Sequence, residues 1–181
     1  MTRGTVVAFA TGLGSGLLVT PVLIALSAWR GLLGVRADTP PPAWEATLAH
    51  AALDASVARE AGPQRNPTQV TDDYLLDGMK IFRDDCAGCH GDYGKPSRWG
   101  STLFYPRVPQ FAEHHPHRPD WQVFWIVKHG LRYSGMGGWG SEVPDSKQWM
   151  VATFLSRLDS LPPAVERAWT TGVDPRTPAG Q

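Results

Sequence analysis

The stretch Cys86-Ala87-Gly88-Cys89-His90 decides the fold of this chain. Two thiols three positions apart, followed directly by a histidine, have the spacing of a c-type haem attachment site. Each thiol forms a thioether to one vinyl edge of the porphyrin, and the histidine binds the iron from the proximal side. The chain has only two cysteines, and both lie in this motif. The sequence therefore predicts one covalently bound haem c with its iron.

Other interpretations of the motif are weaker. A structural zinc site needs four ligands, usually two such pairs, and a second cysteine pair does not occur. A redox-active dithiol remains an alternative, although the βαβ pattern that usually surrounds one is missing. A plain disulfide gives His90 no role.

Composition excludes several classes of function. The 17 basic and 17 acidic side chains cancel, so there is no overall positive field for nucleic acid. The 19 glycines and 16 prolines indicate a loop-rich fold with linkers. No nucleophile and base pair or phosphate-binding loop stands out, so we expect no independent catalytic activity.

The N-terminus carries an apolar run without charge over residues 4–29, bounded by Arg3 and Arg30. As a helix, residues 6–29 are ~36 Å long, which spans a hydrocarbon core of ~30 Å. A cleaved signal peptide is the alternative, but its apolar region runs only ~7–15 residues. Residues 1–37 are therefore predicted to be a membrane anchor.

Small residues recur at every fourth position of this run, including Gly12 and Gly16. Such a ladder lets a second helix approach closely in a membrane. We expect a partner's transmembrane helix to dock against the face formed by Gly12 and Gly16.

The rest of the chain is predicted to form a linker, a domain and a tail. Residues 38–70 are a linker with a short helix over 44–61, and residues 162–181 are a mobile C-terminal tail. Residues 71–161 contain three helices, over about 71–85, 120–129 and 146–158. Their expected caps are Thr71 for the first, Gly130 for the second, and a capping box of Asp145 with Gln148 for the last.

The second axial ligand of the iron is predicted to be Met136. It lies in the irregular loop Ser134-Gly135-Met136-Gly137-Gly138-Trp139, whose glycines let the backbone approach a porphyrin. The alternatives are a vacant position or a histidine, and the candidate histidines are His114, His115, His117 and His129.

These motifs follow one another in the order of a known family. Together they resemble a membrane-anchored, mono-haem class I cytochrome c. The matching parts are, in chain order, Gly78 and Phe82, the haem motif, the prolines Pro106 and Pro109, residues 124–130, Ser134-Gly135-Met136 and the helix around Trp149. The resemblance covers about residues 70–160.

The resemblance implies an all-α class I cytochrome c fold with three main helices around the haem, preceded here by an N-terminal transmembrane helix. Its first and last helices are expected to cross where Gly78 and Phe82 meet residues 149–154. A proline carbonyl is expected to accept the other N–H of His90; Pro109 is the first candidate and Pro106 the second. Candidate contacts to the haem propionates are Trp139, Tyr105 and Arg98.

The implied function is electron transfer by a His90/Met136-ligated haem. C-type haem is attached outside the cytoplasm in this family, so we expect a bacterial inner-membrane, single-pass protein with its haem domain in the periplasm. Expected partners are a quinol-oxidising complex, a terminal oxidase or a dehydrogenase of the respiratory chain. Two alternatives stay open: a relay subunit of a membrane oxidoreductase complex, and a gas- or redox-responsive haem protein.

One departure from the family pattern concerns the ligand loop. Similar cytochromes often carry Gly-Met-Pro-Ala, whereas this chain has Gly135-Met136-Gly137-Gly138. Without the fixed φ of proline the loop is expected to be looser and the bond from Met136 to iron more labile.

Overall fold

The computed structural model describes residues 19–177, which divide into a unit that ends at Arg36 and a unit that begins at Ala37. In the first unit, residues 19–29 are helical (α1) and their side chains are mostly exposed. Over residues 19–177, no helix combines the length and the apolar character that crossing a membrane requires. The predicted transmembrane helix over residues 6–29 begins outside the described residues, and Gly12 and Gly16 lie outside them as well.

The second unit is built from helices and loops. The helices are α2 (Ala43–Glu60), α3 (Asp72–Ile81), a π-helical turn (Phe82–Cys86), α4 (Ala87–His90), α5 (Gly100–Leu103), α6 (Asp120–His129), α7 (Asp145–Leu155) and α8 (Pro163–Thr171). Residues 19–177 contain no strand, only one isolated bridge between Asp92 and Lys95. The all-α fold class is therefore confirmed.

Helices α3 and α7 cross in close contact at Gly78. The Thr71 hydroxyl begins α3 by accepting the backbone N–H of Tyr74 at 3.2 Å, as an N-cap should. A Cβ atom at Gly78 would lie 2.3 Å from the carbonyl oxygen of Met150, so only glycine permits this approach. One turn further, the Phe82 and Phe154 rings pack with centroids 6.1 Å apart. The crossing lies where the resemblance implies it.

Helix α6 packs on the other side of α7. It ends at Gly130, whose φ of +68° suits a glycine cap. The Phe124 ring stacks on the Trp149 ring with centroids 4.2 Å apart and planes 9° from parallel. This stack joins the middle of α6 to α7, and the loop that bears Met136 follows the end of α6.

The predicted capping box of Asp145 with Gln148 is wrong. Pro144 is the N-cap of α7, and no side chain caps it. The Gln148 side chain is fully buried, and its Nε2 donates to the carbonyl oxygen of Val143 at 2.5 Å. The pattern misled because the helix begins one residue earlier than predicted: with Pro144 as the N-cap, Gln148 is the fourth helical residue, and its side chain turns inward.

The predicted mobile tail from Pro162 is also wrong over Pro163–Thr171. This segment forms α8, whose buried face consists of Val165, Ala168 and Trp169. The Trp169 ring lies edge-on to Phe82 at 5.8 Å and to Phe154 at 5.3 Å. The apolar side chains of α8 pack into the core, and this packing holds the segment as a helix.

Helix α2 belongs to the same unit as the haem motif. Val57 near its end is fully buried, and Asp54 pairs with Arg118 in the loop before α6. After α2, the Asn66 side chain donates to the Tyr74 hydroxyl at 3.0 Å and to the Thr153 hydroxyl at 2.9 Å. Residues from the predicted linker therefore hold α3 and α7 together.

Candidate haem site

The two cysteines lie at the end of the helix that crosses α7. After Ile81 the chain widens into a π-helical turn, a feature common beside functional sites, and Cys86 is its last residue. Helix α4 then carries Cys89 and His90 and ends at Gly91, with φ +74°. Both thiols are half-buried and unpaired. Burial, with a smaller contribution from the Asp85 carboxylate, raises the pKa of Cys86 to about 12.

His90 is held in one orientation by two neighbouring residues. Its Nδ1 lies 2.9 Å from the carbonyl oxygen of Pro109. A carbonyl only accepts, so Nδ1 carries the proton and Nε2 presents its lone pair. The Phe111 ring stacks on the imidazole with centroids 4.4 Å apart, and the Phe111 N–H donates to the His90 carbonyl oxygen at 3.1 Å. Burial lowers the pKa of His90, which favours the neutral imidazole that metals bind.

A buried hydrogen-bond network fastens the Pro109 loop to α4. Gln110 is 7% exposed, and its Nε2 donates to the carbonyl oxygen of Cys89 at 3.1 Å. Its Oε1 accepts the backbone N–H of Ser97 at 2.7 Å, and the Ser97 hydroxyl donates to the carbonyl oxygen of Gly88 at 2.7 Å. These bonds keep Pro109 opposite His90.

The loop that bears Met136 is fastened to the end of α6. The Leu131 N–H donates to the Met136 carbonyl oxygen at 2.9 Å, and the Met136 N–H donates to the Ser134 hydroxyl at 3.1 Å. Beyond the ligand candidate, Trp139 N–H donates to Val127 O at 3.0 Å. The thioether therefore sits on a short, tethered loop.

Met136 and Cys86 line one cleft, whose walls are mostly apolar. The cleft is lined by Ile81, Asp85, Cys86, Val127, Met136, Trp139, Val143, Gln148 and Val151. One thioether, one attachment cysteine and apolar side chains are groups that would hold a haem c here. The described lining includes no histidine. The Cys86 and Met136 donors of this cleft fit a covalently bound haem, and His90, which lines a separate cleft with Gln110, presents Nε2 as a further donor.

The other predicted contacts are dispersed. Trp139 lines the cleft and is 36% exposed. The Tyr105 hydroxyl instead donates to the Glu45 carboxylate on α2 at 3.0 Å, and Arg98 is exposed. The structure thus places one of the three propionate candidates, Trp139, at the cleft and gives Tyr105 another partner.

The alternative histidine ligands lie elsewhere. His115 contacts the Asp159 carboxylate, and His117 Nδ1 lies 3.6 Å from the same group. His114 is exposed, and the His129 ring packs beside Trp125 with centroids 5.0 Å apart.

Comparison with known families agrees with this geometry. The model of the family described as Cytochrome C oxidase, cbb3-type, subunit III matches residues 73–155. Residues 73–155 are a mono-haem class I cytochrome c domain. No curated protein matches the chain. The cytochrome c domain binds haem c covalently, with Cys86 and Cys89 in place for the attachment.

Residues that sequence analysis did not assign to this site are Ser97, Gln110, Phe111 and Gln148. Gln110 and Phe111 directly follow Pro109, but neither belongs to a motif that would have placed it beside His90. Gln148 had a detectable signal, since it lies three positions before Val151 on the apolar stripe of α7. A polar residue on the apolar stripe of a helix can be a buried residue with a polar role, just as it can be a capping residue.

Proposed function

We propose that this protein carries electrons through a haem c whose axial ligands are His90 and Met136. The cytochrome c domain itself implies haem-based electron transfer rather than catalysis. The ligand pair is supported by one observation above all: Met136 lines the same cleft as the attachment cysteine Cys86.

Bound haem c supplies a one-electron ferric/ferrous couple. The chain supplies the ligands and their orientation. The Pro109 carbonyl oxygen accepts a hydrogen bond from the Nδ1–H of His90, which fixes the tautomer and makes the imidazole a stronger donor. The Met136 thioether would favour the ferrous state and raise the potential. With His90 and Met136 both bound to the iron, no substrate would reach it.

The proposed location is the periplasmic face of a bacterial inner membrane, with a single N-terminal anchor. Its support is the charge-free apolar run over residues 4–29. The test is alkaline extraction of membranes from cells that make the full chain. An anchored protein stays in the pellet until detergent is added, whereas release by alkali alone would contradict an anchor.

The likeness to a cbb3-type oxidase subunit bears on the partners. We propose that the domain relays electrons to a terminal oxidase, as a stable subunit or as a separate carrier. Purification in mild detergent tests this choice. Oxidase subunits that stay with the protein at constant stoichiometry support the subunit form, and a monodisperse single chain that an oxidase oxidises supports the carrier.

The ligand pair is tested by the optical spectrum of the holoprotein. We expect a weak far-red band in the ferric state and no shift of the ferrous spectrum with carbon monoxide. Met136→Ala should abolish the far-red band and permit carbon monoxide binding. Met150→Leu is the matched control, since Met150 lies on α7 and does not line the cleft. A clear carbon monoxide shift of the unaltered protein together with a missing far-red band would contradict the ligand pair and favour a gas-responsive haem protein.

A further inference from the structure

The Gln148 amide has one partnered end and one unpartnered end. Its side chain is 0% exposed, and Nε2 donates to the Val143 carbonyl oxygen. Its Oε1 is the buried side-chain oxygen that has no hydrogen-bond partner among the described residues. Rotating the amide would place its oxygen against the Val143 oxygen, so the orientation is fixed by chemistry.

This amide belongs to the wall of the haem cleft. It lines the cleft together with Cys86 and Met136, and the walls between them are largely aliphatic, from Ile81, Val127 and Val151. Asp85 also lines the cleft, but it is exposed to solvent.

An unpartnered buried acceptor destabilises the folded state, because it loses its bond to water and gains none in return. An apolar side chain of similar volume, such as methionine, would fill the position without that cost. The Nε2 end of the amide has a structural role, because it bonds the Val143 carbonyl oxygen just before α7, but that bond leaves the Oε1 end without a partner. The retained amide therefore calls for a role in the cleft.

We propose that Gln148 sets the reduction potential of the haem iron by placing the negative end of its amide dipole at the cleft. The proposal rests on the function proposed above. Reduction adds one electron and removes one positive charge from the site. A fixed oxygen dipole in an apolar, low-dielectric cleft stabilises the more positive, ferric state, so it lowers the potential.

The test is a spectroelectrochemical titration of the full-length holoprotein and of Gln148→Met. We expect a higher midpoint potential in the variant with the Met136 far-red band intact. Thr153→Val is the matched control: Thr153 is also 0% exposed on α7, but Asn66 satisfies its hydroxyl. It should lower stability and leave the potential unchanged. An unchanged or lower potential in Gln148→Met overturns the proposal.

A second variant keeps the test decisive if Gln148→Met fails to mature. Gln148→Glu should have a potential that falls as pH rises, because ionisation adds a negative charge beside the cleft. The titrations extend to a pH above about 9, because burial can raise the pKa of a glutamate to about 8–9. A potential with the same pH dependence as that of the parent over this whole range overturns the proposal. Failure of the function proposed above is separate, since it appears as a missing far-red band in the unaltered protein.

Discussion

At the scale of single residues, Gly137 and Gly138 beside the proposed ligand are not equivalent. A Cβ atom at Gly137 would meet nothing within 4 Å. At Gly138 it would lie 2.8 Å from the carbonyl oxygen of His129, at the end of α6. The sequence predicted a loose loop here, but Gly138 permits close packing that ties the loop to a helix. The expected lability of the Met136 bond stays a prediction.

We therefore predict opposite outcomes for two neighbouring substitutions. Gly138→Ala should push the loop from α6, cost about 1–3 kcal/mol of unfolding free energy and increase cyanide binding to the ferric protein. Gly137→Ala should leave cyanide binding unchanged. Denaturant unfolding and cyanide titration measure both. Equal behaviour of the two variants would show that contact with α6 does not position Met136.

At the scale of elements, helix α8 contacts the segment that carries the haem motif. Arg83, in the turn before the motif, donates to the Trp169 carbonyl oxygen at 2.7 Å and contacts Asp92 just after the motif at 3.1 Å. Its guanidinium also lies 5.1 Å from the centre of the Trp169 ring. The end of α8 is thereby joined to both sides of the attachment segment.

We predict that Trp169→Ala destabilises the holoprotein by about 3–5 kcal/mol, because it empties a core site between Phe82 and Phe154. The optical spectrum should keep its ligand bands, since Trp169 does not line the cleft. Trp44→Ala is the control: Trp44 is 68% exposed, and its loss should cost within about 0.5 kcal/mol. A small effect for Trp169→Ala would mean that α8 is a dispensable appendage.

The sequence predicts an element well when the residues that start or end it lie close to it in the chain. Helices α3 and α6 were foreseeable because Thr71 and Gly130 act within one turn of the backbone they cap. Helix α8 was not foreseeable, because Pro162 and Pro163 suggest an extended tail. Only the packing of Trp169 into the core, which the sequence does not show, makes this segment a helix. Proline at the first helical turn is in fact compatible with a helix start.

The site residues also differ in how well the sequence predicts them. Cys86, Cys89 and His90 are set by spacing within one short segment. The order of motifs was enough to nominate Pro109 and Met136. The network of Ser97 and Gln110 depends on two loops meeting, which no local pattern encodes.

At the scale of the whole molecule, the segment before the haem motif is part of the folded unit. Val57 is fully buried, the Tyr105 hydroxyl is bonded to Glu45 on α2, and Asn66 bridges α3 and α7. Burying one valine contributes about 1.5–3 kcal/mol, and each hydrogen bond contributes about 1 kcal/mol. Several kcal/mol of unfolding free energy therefore depend on residues before Thr71.

This sum predicts how two shortened chains differ when each is exported to the periplasm behind a cleavable leader and loaded with haem. The chain of residues 37–177 should match the thermal unfolding midpoint of the full protein in detergent. The chain of residues 71–177 should unfold at a clearly lower temperature, because Val57 and Asn66 are gone. Calorimetry of the holoproteins measures both midpoints. Equal midpoints would mean that α2 is a spacer, and the haem domain would then begin at Thr71, as the sequence alone predicted.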